Sequence, residues 1–425
     1  MKIAVWGDEL ASWVAVAQLA AYGNDVRVLQ AVDVAGTTEI RPSQSSVRAE
    51  PGLMEMIQAA VAKGQLRALS ADQCEDVVVH WLAMAPDEED KAVALVQRLA
   101  QRTEGSLLVI NQSNFGIGAS DRLQALLNSD AGQAVICLPD TLQQGRALSQ
   151  FAQPKTLLVG CEDASALQSL QAILRPFAGA VQNLQLMSRR EAEFTKFAIT
   201  GMLALRLGYI NELANLADLL AVDIDVVRQG MGSDERIGRH YLAPGCGFGG
   251  QHFTQYIEGL AGLFSEKRRS TLLDTVLTEN QRQMELPFRK LWQHYECDLS
   301  GKTVALWGVA FKPGVASIDN APALRIIDAL LAQGARVRLH DPEALPEVRE
   351  HYGDDARLQY CADKYDAAQG AEALLLLTEW PEYWSPDFER LAQSLGAKVI
   401  VDGRNVYDPA LLRAQGFTYY GIGRL

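Results

Sequence analysis

The chain opens on a short apolar run, Ile3 to Trp6, then Gly7, a helical pattern from Leu10 to Tyr22, and a second run at Asp25 to Leu29. Strand, glycine, helix and strand in immediate succession is the opening of a dinucleotide-binding βαβ unit, and it commits the chain to a parallel sheet. Asp76 to Met84 and Ser106 to Asn111 read as further buried strands, with a helix from Glu88 to Gln101 between them. Val135 to Cys137, Leu157 to Gly160 and Val181 to Leu186 complete a first wing. A second αβ wing starts after Gly301, with a strand in Lys302 to Trp307, a helix from Ala321 to Gln333 and a strand from Arg336 to His340.

Between the wings lies an uninterrupted helical pattern from Arg190 to Leu220, long for a surface helix, and a second long one from Ser270 to Glu296. At 425 residues the chain exceeds one ordinary core. The expectation is an α/β protein with two Rossmann-like doubly wound domains joined by a long central helix. The divisions fall at 1–188, 189–297 and 298–425.

Composition narrows the partners. A formal net charge of -13 argues against a nucleic-acid groove and an anionic membrane surface. The six cysteines form no CxxC pair or metal-ligand spacing, so they read as reduced thiols without a metal site. Met1-Lys2 runs straight into the first strand, and no apolar run is long enough to span a bilayer. A cytoplasmic protein with no membrane insertion is expected.

Two stretches carry the chemistry. Where a Gly-x-Gly-x-x-Gly fingerprint would follow the first strand, the chain has Gly7-Asp8-Glu9-Leu10-Ala11-Ser12. Gly7 keeps the turn, Glu9 and Ser12 replace the other glycines, and Gln30 replaces the acid that would hold ribose hydroxyls. A carboxylate about 4 Å from a phosphate costs roughly 4 kcal/mol at an effective dielectric near 20. That is about three decades of affinity, so NAD is expected to bind weakly or not at all. The other stretch is Pro244-Gly245-Cys246-Gly247-Phe248-Gly249-Gly250-Gln251-His252-Phe253. Four glycines in one turn between helices point to backbone that lets a ligand come close.

Gly247-Phe248-Gly249-Gly250, followed by two residues and a phenylalanine, resembles the active-site loop of the UDP-glucose/GDP-mannose dehydrogenases. In that family the loop reads Gly-Phe/Tyr-Gly-Gly-x-Cys-Phe/Leu-Pro-Lys-Asp. The resemblance extends along the chain through Glu50-Pro51-Gly52-Leu53, Leu138-Pro139-Asp140-Thr141-Leu142, Glu193 to Lys196, Asn211-Glu212, Val304 to Pro313, Asp341-Pro342, Leu377 to Trp380 and Asp402-Gly403-Arg404. It implies two oxidations of a sugar hydroxyl using NAD, with a cysteine holding the intermediate aldehyde, and a homodimer built on the central helix.

The resemblance places His252 at the cysteine, Tyr256 at the aspartate of the loop, and Asp140 at an acid–base glutamate. It places Lys196 at a substrate-facing lysine and Thr200 at an asparagine one turn later. Lys196, Arg236, Tyr241, Phe248, Gly249, Gly250, Phe311, Lys312 and Arg404 fall at positions that meet the sugar nucleotide. Imidazole gives no comparably stable adduct with a sugar aldehyde, and His252 is expected to be a buried, satisfied histidine. The changed positions serve NAD and redox chemistry, while several of the kept ones serve the fold or the sugar nucleotide. The expected protein is therefore a non-catalytic nucleotide-sugar-binding, assembly or regulatory partner in polysaccharide precursor metabolism. It would form a homodimer, or a hetero-oligomer with an active dehydrogenase. The alternative is an active NAD(P)-dependent oxidoreductase of UDP- or GDP-sugars with altered chemistry.

Overall fold

A computed structural model describes residues 1–29, 32–34, 37–48, 50–68 and 76–424. It divides into two compact units, Met1–Ala198 and Ile199–Leu425.

Unit 1 holds strands β1 (Lys2–Trp6), β2 (Asp25–Val28), β3 (Val32–Val34), β4 (Thr37–Glu39), β5 (Leu66–Ala68), β6 (Val79–Leu82), β7 (Leu107–Asn111), β8 (Gln133–Cys137), β9 (Thr156–Gly160) and β10 (Asn183–Met187). β3 and β4 form a small antiparallel pair of their own. The others form one sheet in the order β10-β9-β8-β7-β6-β1-β2-β5. From β5 to β8 every pairing is parallel. Taken in chain order those six strands lie 3-2-1-4-5-6, the doubly wound arrangement, with a switch point between β1 and β6. β9 and β10 are a parallel pair joined to β8 by one antiparallel bridge, Cys137 to Gly160.

The first helix, Leu10–Ala21, is buried from Ala11 to Ala20. Helices Leu53–Ala62 and Ala147–Ala152 pack on it, which is why its sequence is apolar all round rather than striped. Glu50 is 3% exposed, and its carboxylate accepts the amides of Gly145 (2.5 Å) and Ala147 (2.7 Å) at the start of the last of these helices. The Glu-Pro-Gly-Leu motif thus opens one helix with Gly52 and caps another with Glu50.

Unit 2 carries β11 (Thr303–Trp307), β12 (Arg336–His340), β13 (Leu358–Tyr360), β14 (Ala373–Leu376), β15 (Val399–Asp402) and β16 (Thr418–Tyr420). Their order is β13-β12-β11-β14-β15-β16, all parallel, and again 3-2-1-4-5-6 in chain order. Val304 to Trp307 and Ala373 to Leu376 are fully buried, as near-continuous apolar strands of a parallel sheet must be.

The central helix runs from Arg189 to Leu220 without a break. Ala204, Ile210, Ala214 and Ala217 face inward, while Met202, Tyr209 and Leu216 are exposed at seven-residue spacing. The second long helix expected from Ser270 to Glu296 is instead two, Leu272–Met284 and Leu286–His294. Pro287 has no amide to continue the ladder and sits in the first turn of the second helix. The strand expected from Asp76 to Met84 is confined to Val79–Leu82. Among the described residues no helix is long and apolar enough to cross a membrane, and no group of three or more His, Cys, Asp or Glu is placed to hold a metal.

Candidate functional site

In unit 2 the glycine-rich loop is strapped on two sides. Gly245 N–H donates to Asn211 Oδ1 of the central helix at 3.0 Å, and Gln283 Nε2 donates to Gly245 O at 2.7 Å. Phe248 N–H donates to Asn280 Oδ1, and Asn280 Nδ2 returns a bond to Phe248 O, both at 2.9 Å. On the sheet side Cys246 N–H donates to Gly403 O (2.8 Å) and Gly250 N–H to Asp319 O (2.8 Å). Residues 244 to 250 are buried throughout. A buried loop must place its backbone polar groups, and side-chain amides on flanking helices do so here.

The glycines admit close approach, and in each case the near neighbour is the chain itself. A Cβ on Gly249 would stand 2.4 Å from Asn320 O, and one on Gly250, at φ +88°, 2.9 Å from the Phe311 ring. Asn320 Nδ2 also bonds Thr254 Oγ1 at 2.9 Å, tying the segment after Phe311-Lys312-Pro313 to the helix Gln251–Arg268. Phe248 packs edge-on against Phe253.

His252 lies in the first turn of that helix and is exposed, with its ring stacked on that of the buried Tyr256. The expectation of a buried imidazole is corrected: a residue at the second position of a helix projects outward unless another element covers it. The loop's own thiol is shut away. Cys246 is 0% exposed, with Sγ 3.6 Å from Leu377 O, and burial raises its pKa. Thr200, one turn beyond Lys196 on the central helix, is buried.

Arg404 is the cation most closely built into the loop. Its Nε donates to Leu377 O (2.7 Å), Nη1 to Gly247 O (3.3 Å), and Glu379 pairs with it at 3.2 Å. Lys312 Nζ lies 5.5 Å from the centroid of Phe311. Arg236 is different. Its side chain is 89% exposed and its guanidinium is chelated by Asp234, two residues away. Tyr241 takes a left-handed backbone, φ +57°, unusual for a bulky residue, and partial burial raises its phenol pKa. Arg206 of the central helix fixes this segment through Ile237 O (2.8 Å) and Gly238 O (3.1 Å).

In unit 1 the turn after β1 sits at the switch point. A Cβ on Gly7 would stand 2.0 Å from Ala83 O, so only glycine closes the turn against the backbone beyond β6. Asp8 then collects donors: the Trp13 indole N–H at 2.7 Å, the Ser43 amide at 3.2 Å and the Ser43 hydroxyl. Glu9 is the N-cap of the first helix without a side-chain capping bond, and the buried Ser12 hydroxyl donates to Glu9 O at 2.6 Å. The end of this helix that favours anions already carries two carboxylates of its own. Gln30 lies outside the described residues.

Lys196 and Asp140 are brought within electrostatic reach of each other. Burial lowers the Lys196 pKa, and the Asp140 charge opposes that shift. Asp140 Oδ1 also accepts the Leu142 amide at 2.9 Å. Glu193, the first member of the Glu-x-x-Lys pattern, is buried and accepts the amides of Gly118 (2.5 Å) and Ser120 (2.7 Å). It fixes the helix that presents Lys196.

Sequence reasoning missed Asn280 and Gln283 as straps of the loop in unit 2 and the Asp8–Trp13 pair in unit 1, and it quoted Glu50 and Glu193 as motif members without the backbone amides they accept. A polar residue at an inward helical position was the available signal for Asn280 and Gln283.

Residues 1–178 match the family pattern described as the UDP-glucose/GDP-mannose dehydrogenase family NAD binding domain. Residues 190–282 match its central domain and 305–409 its UDP binding domain. UDP-glucose 6-dehydrogenase of Pseudomonas aeruginosa is 35% identical over 444 residues, covering 100% of this chain and 98% of that protein. The enzyme of that name from Rhizobium meliloti is 28% identical and covers 100% of both. A UDP-glucose dehydrogenase structure from Pyrobaculum islandicum superposes with a TM-score of 0.83 at 27% identity, covering 100% of this chain and 98% of that one. A dehydrogenase structure from Pyrococcus horikoshii shares the fold, with a TM-score of 0.80 at 20% identity and coverage of 100% and 99%.

Proposed function

The chain belongs to the UDP-glucose/GDP-mannose dehydrogenase family, and from that premise we propose that it binds a nucleoside diphosphate sugar without oxidising it to the acid. Its place would be that of an assembly or regulatory partner in polysaccharide precursor metabolism. The observation that carries this reading is the state of the loop's sulfur chemistry. The position of the family's cysteine holds His252, and the loop's one thiol, Cys246, is fully buried against the segment around Leu377 and Gly403. A thiol must be ionised and reach the aldehyde to hold it, and burial opposes both. The acidic turn of Asp8 and Glu9 supports weak or absent NAD binding. The retained Phe248-Gly249-Gly250, Lys312 and Arg404 support recognition of the sugar nucleotide.

Calorimetric titration with UDP-glucose and GDP-mannose, with and without NAD, tests the reading, alongside absorbance of NADH. Binding of one sugar nucleotide with no turnover is expected. Sustained NADH production by the wild type would replace the proposal with the second reading, an active oxidoreductase of altered chemistry. Full-length identity of 35% to a UDP-glucose 6-dehydrogenase, with Lys196 and Asp140 in mutual reach, favours that second reading.

A further inference from the structure

We propose that unit 1 contains a separate site for an uncharged, largely apolar small molecule, in a cavity of 440 Å³ between β9 and the helix Ala164–Leu174. The cavity arises from the way the sheet ends. β8 and β9 share a single bridge, Cys137 to Gly160, and diverge beyond it. The helix and the 3-10 segment Arg175–Ala180 bridge the gap without filling it.

The lining sets the chemical class. Phe151, Val159, Leu170 and Phe177 are buried walls, whereas Gln171, Ala178 and Leu184 are exposed and form the mouth. Not one Asp, Glu, Lys, Arg or His is among the twenty lining residues, in a chain that is 21% Asp, Glu, Lys and Arg. No group present would balance a phosphate, so neither a dinucleotide nor a sugar nucleotide fits. An apolar cavity of about 150 Å³ accepts benzene, so this one suits two or three fused rings, or an aliphatic body of similar bulk.

Of the polar side chains that line the cavity, Gln112, Thr141, Gln150, Thr156 and Gln171, Gln112 is the buried one, and it is placed for recognition. Gln112, at the end of β7, is 4% exposed, and its Oε1 accepts the Trp81 indole N–H at 2.7 Å. That donor fixes which end of the carboxamide is oxygen. Among the described residues no hydrogen bond occupies Gln112 Nε2. That N–H is open to water rather than sealed in the core, and a carbonyl or ether oxygen on the ligand would take the water's place. The preferred ligand is therefore an apolar ring system bearing one uncharged acceptor.

Prodan, an uncharged naphthalene ketone whose emission reports polarity and hydrogen bonding, is a suitable probe for the full-length protein. Saturable one-site enhancement with blue-shifted emission is expected, unaffected by UDP-glucose or NAD. Leu170→Trp, which fills the floor, and Ala178→Phe, which narrows the mouth, should each weaken binding at least about tenfold. Ala178 is exposed, so that variant remains informative should Leu170→Trp not fold. Gln112→Met should retain binding, shift the emission further to the blue and lower affinity several-fold. Non-saturable enhancement, displacement by UDP-glucose, or unchanged affinity in Ala178→Phe would each overturn the proposal.

Discussion

Asn280 and Phe248 exchange two hydrogen bonds, the Phe248 amide into Asn280 Oδ1 and Asn280 Nδ2 into the Phe248 carbonyl, each at 2.9 Å. One carboxamide thus satisfies both polar groups of a buried residue in the middle of the glycine-rich loop. Asn280→Ala would leave both unpartnered, at a cost of about 2 to 4 kcal/mol. Chemical denaturation should show that loss. Asn280→Asp, which keeps the acceptor, should fall between the two, and a wild-type midpoint in Asn280→Ala would show that the strap contributes nothing.

Gly249 and Gly230 make a matched pair. The first would bring a Cβ to 2.4 Å from Asn320 O, and the second, on the helix Ile224–Ser233, has open space around it. Gly249→Ala should destabilise by roughly 1 to 3 kcal/mol through overpacking, whereas Gly230→Ala should stabilise by about 0.5 to 1 kcal/mol. Thermal unfolding of the two variants checks the opposite signs.

His80 predicts an acid limb. It is fully buried, with Nδ1 accepting the Trp6 indole N–H at 3.1 Å and Nε2 3.0 Å from Val77 O, and burial lowers its pKa from 6.5 to about 4. Between those values the unfolded chain takes up a proton that the native state refuses. The contribution is complete above pH 6.5 and is lost as pH falls towards 4, up to about 3 kcal/mol. His80→Gln should flatten the stability profile in that window. An unchanged slope would assign the acid limb to carboxylates.

The acidic turn makes a claim about cofactor binding. Millimolar NAD should leave the melting temperature of the wild type almost unmoved. Removing one carboxylate in Glu9→Gly should recover up to about three decades of affinity, which reads out as a rise in melting temperature. Asp8→Asn tests the neighbour and costs little packing, since an amide oxygen still accepts from Trp13. A clear wild-type shift below millimolar NAD contradicts the reading.

The exposed Met202, Tyr209 and Leu216 repeat every seven residues along the central helix, the spacing of a helix-pairing seam. We expect a homodimer through this face. Met202→Asp combined with Leu216→Asp should turn a dimer into a monomer by light scattering at micromolar concentration. A wild-type monomer under those conditions would remove the premise.

The sequence by itself determined the two doubly wound domains, the long central helix and the chemical identities at the site. Periodicity, turn glycines and β-branched runs are properties of neighbours along the chain, and Gly7 and Arg336 to His340 declare themselves locally. Pro287 was equally legible, and its break in the expected 270–296 helix follows from its missing amide. Tertiary structure alone decided the rest. Glu50 caps a helix 97 residues away, Asn280 straps a loop 32 residues away, and Asp8 and Ser43 meet across 35. No local pattern encodes such bonds, because they join residues that become neighbours only once the chain has packed. His252 stands exposed and Cys246 buried for the same reason. Cys246 lies in the glycine-rich loop and His252 in the first turn of the helix that follows it, and only the elements packed against them decide which side chain meets solvent.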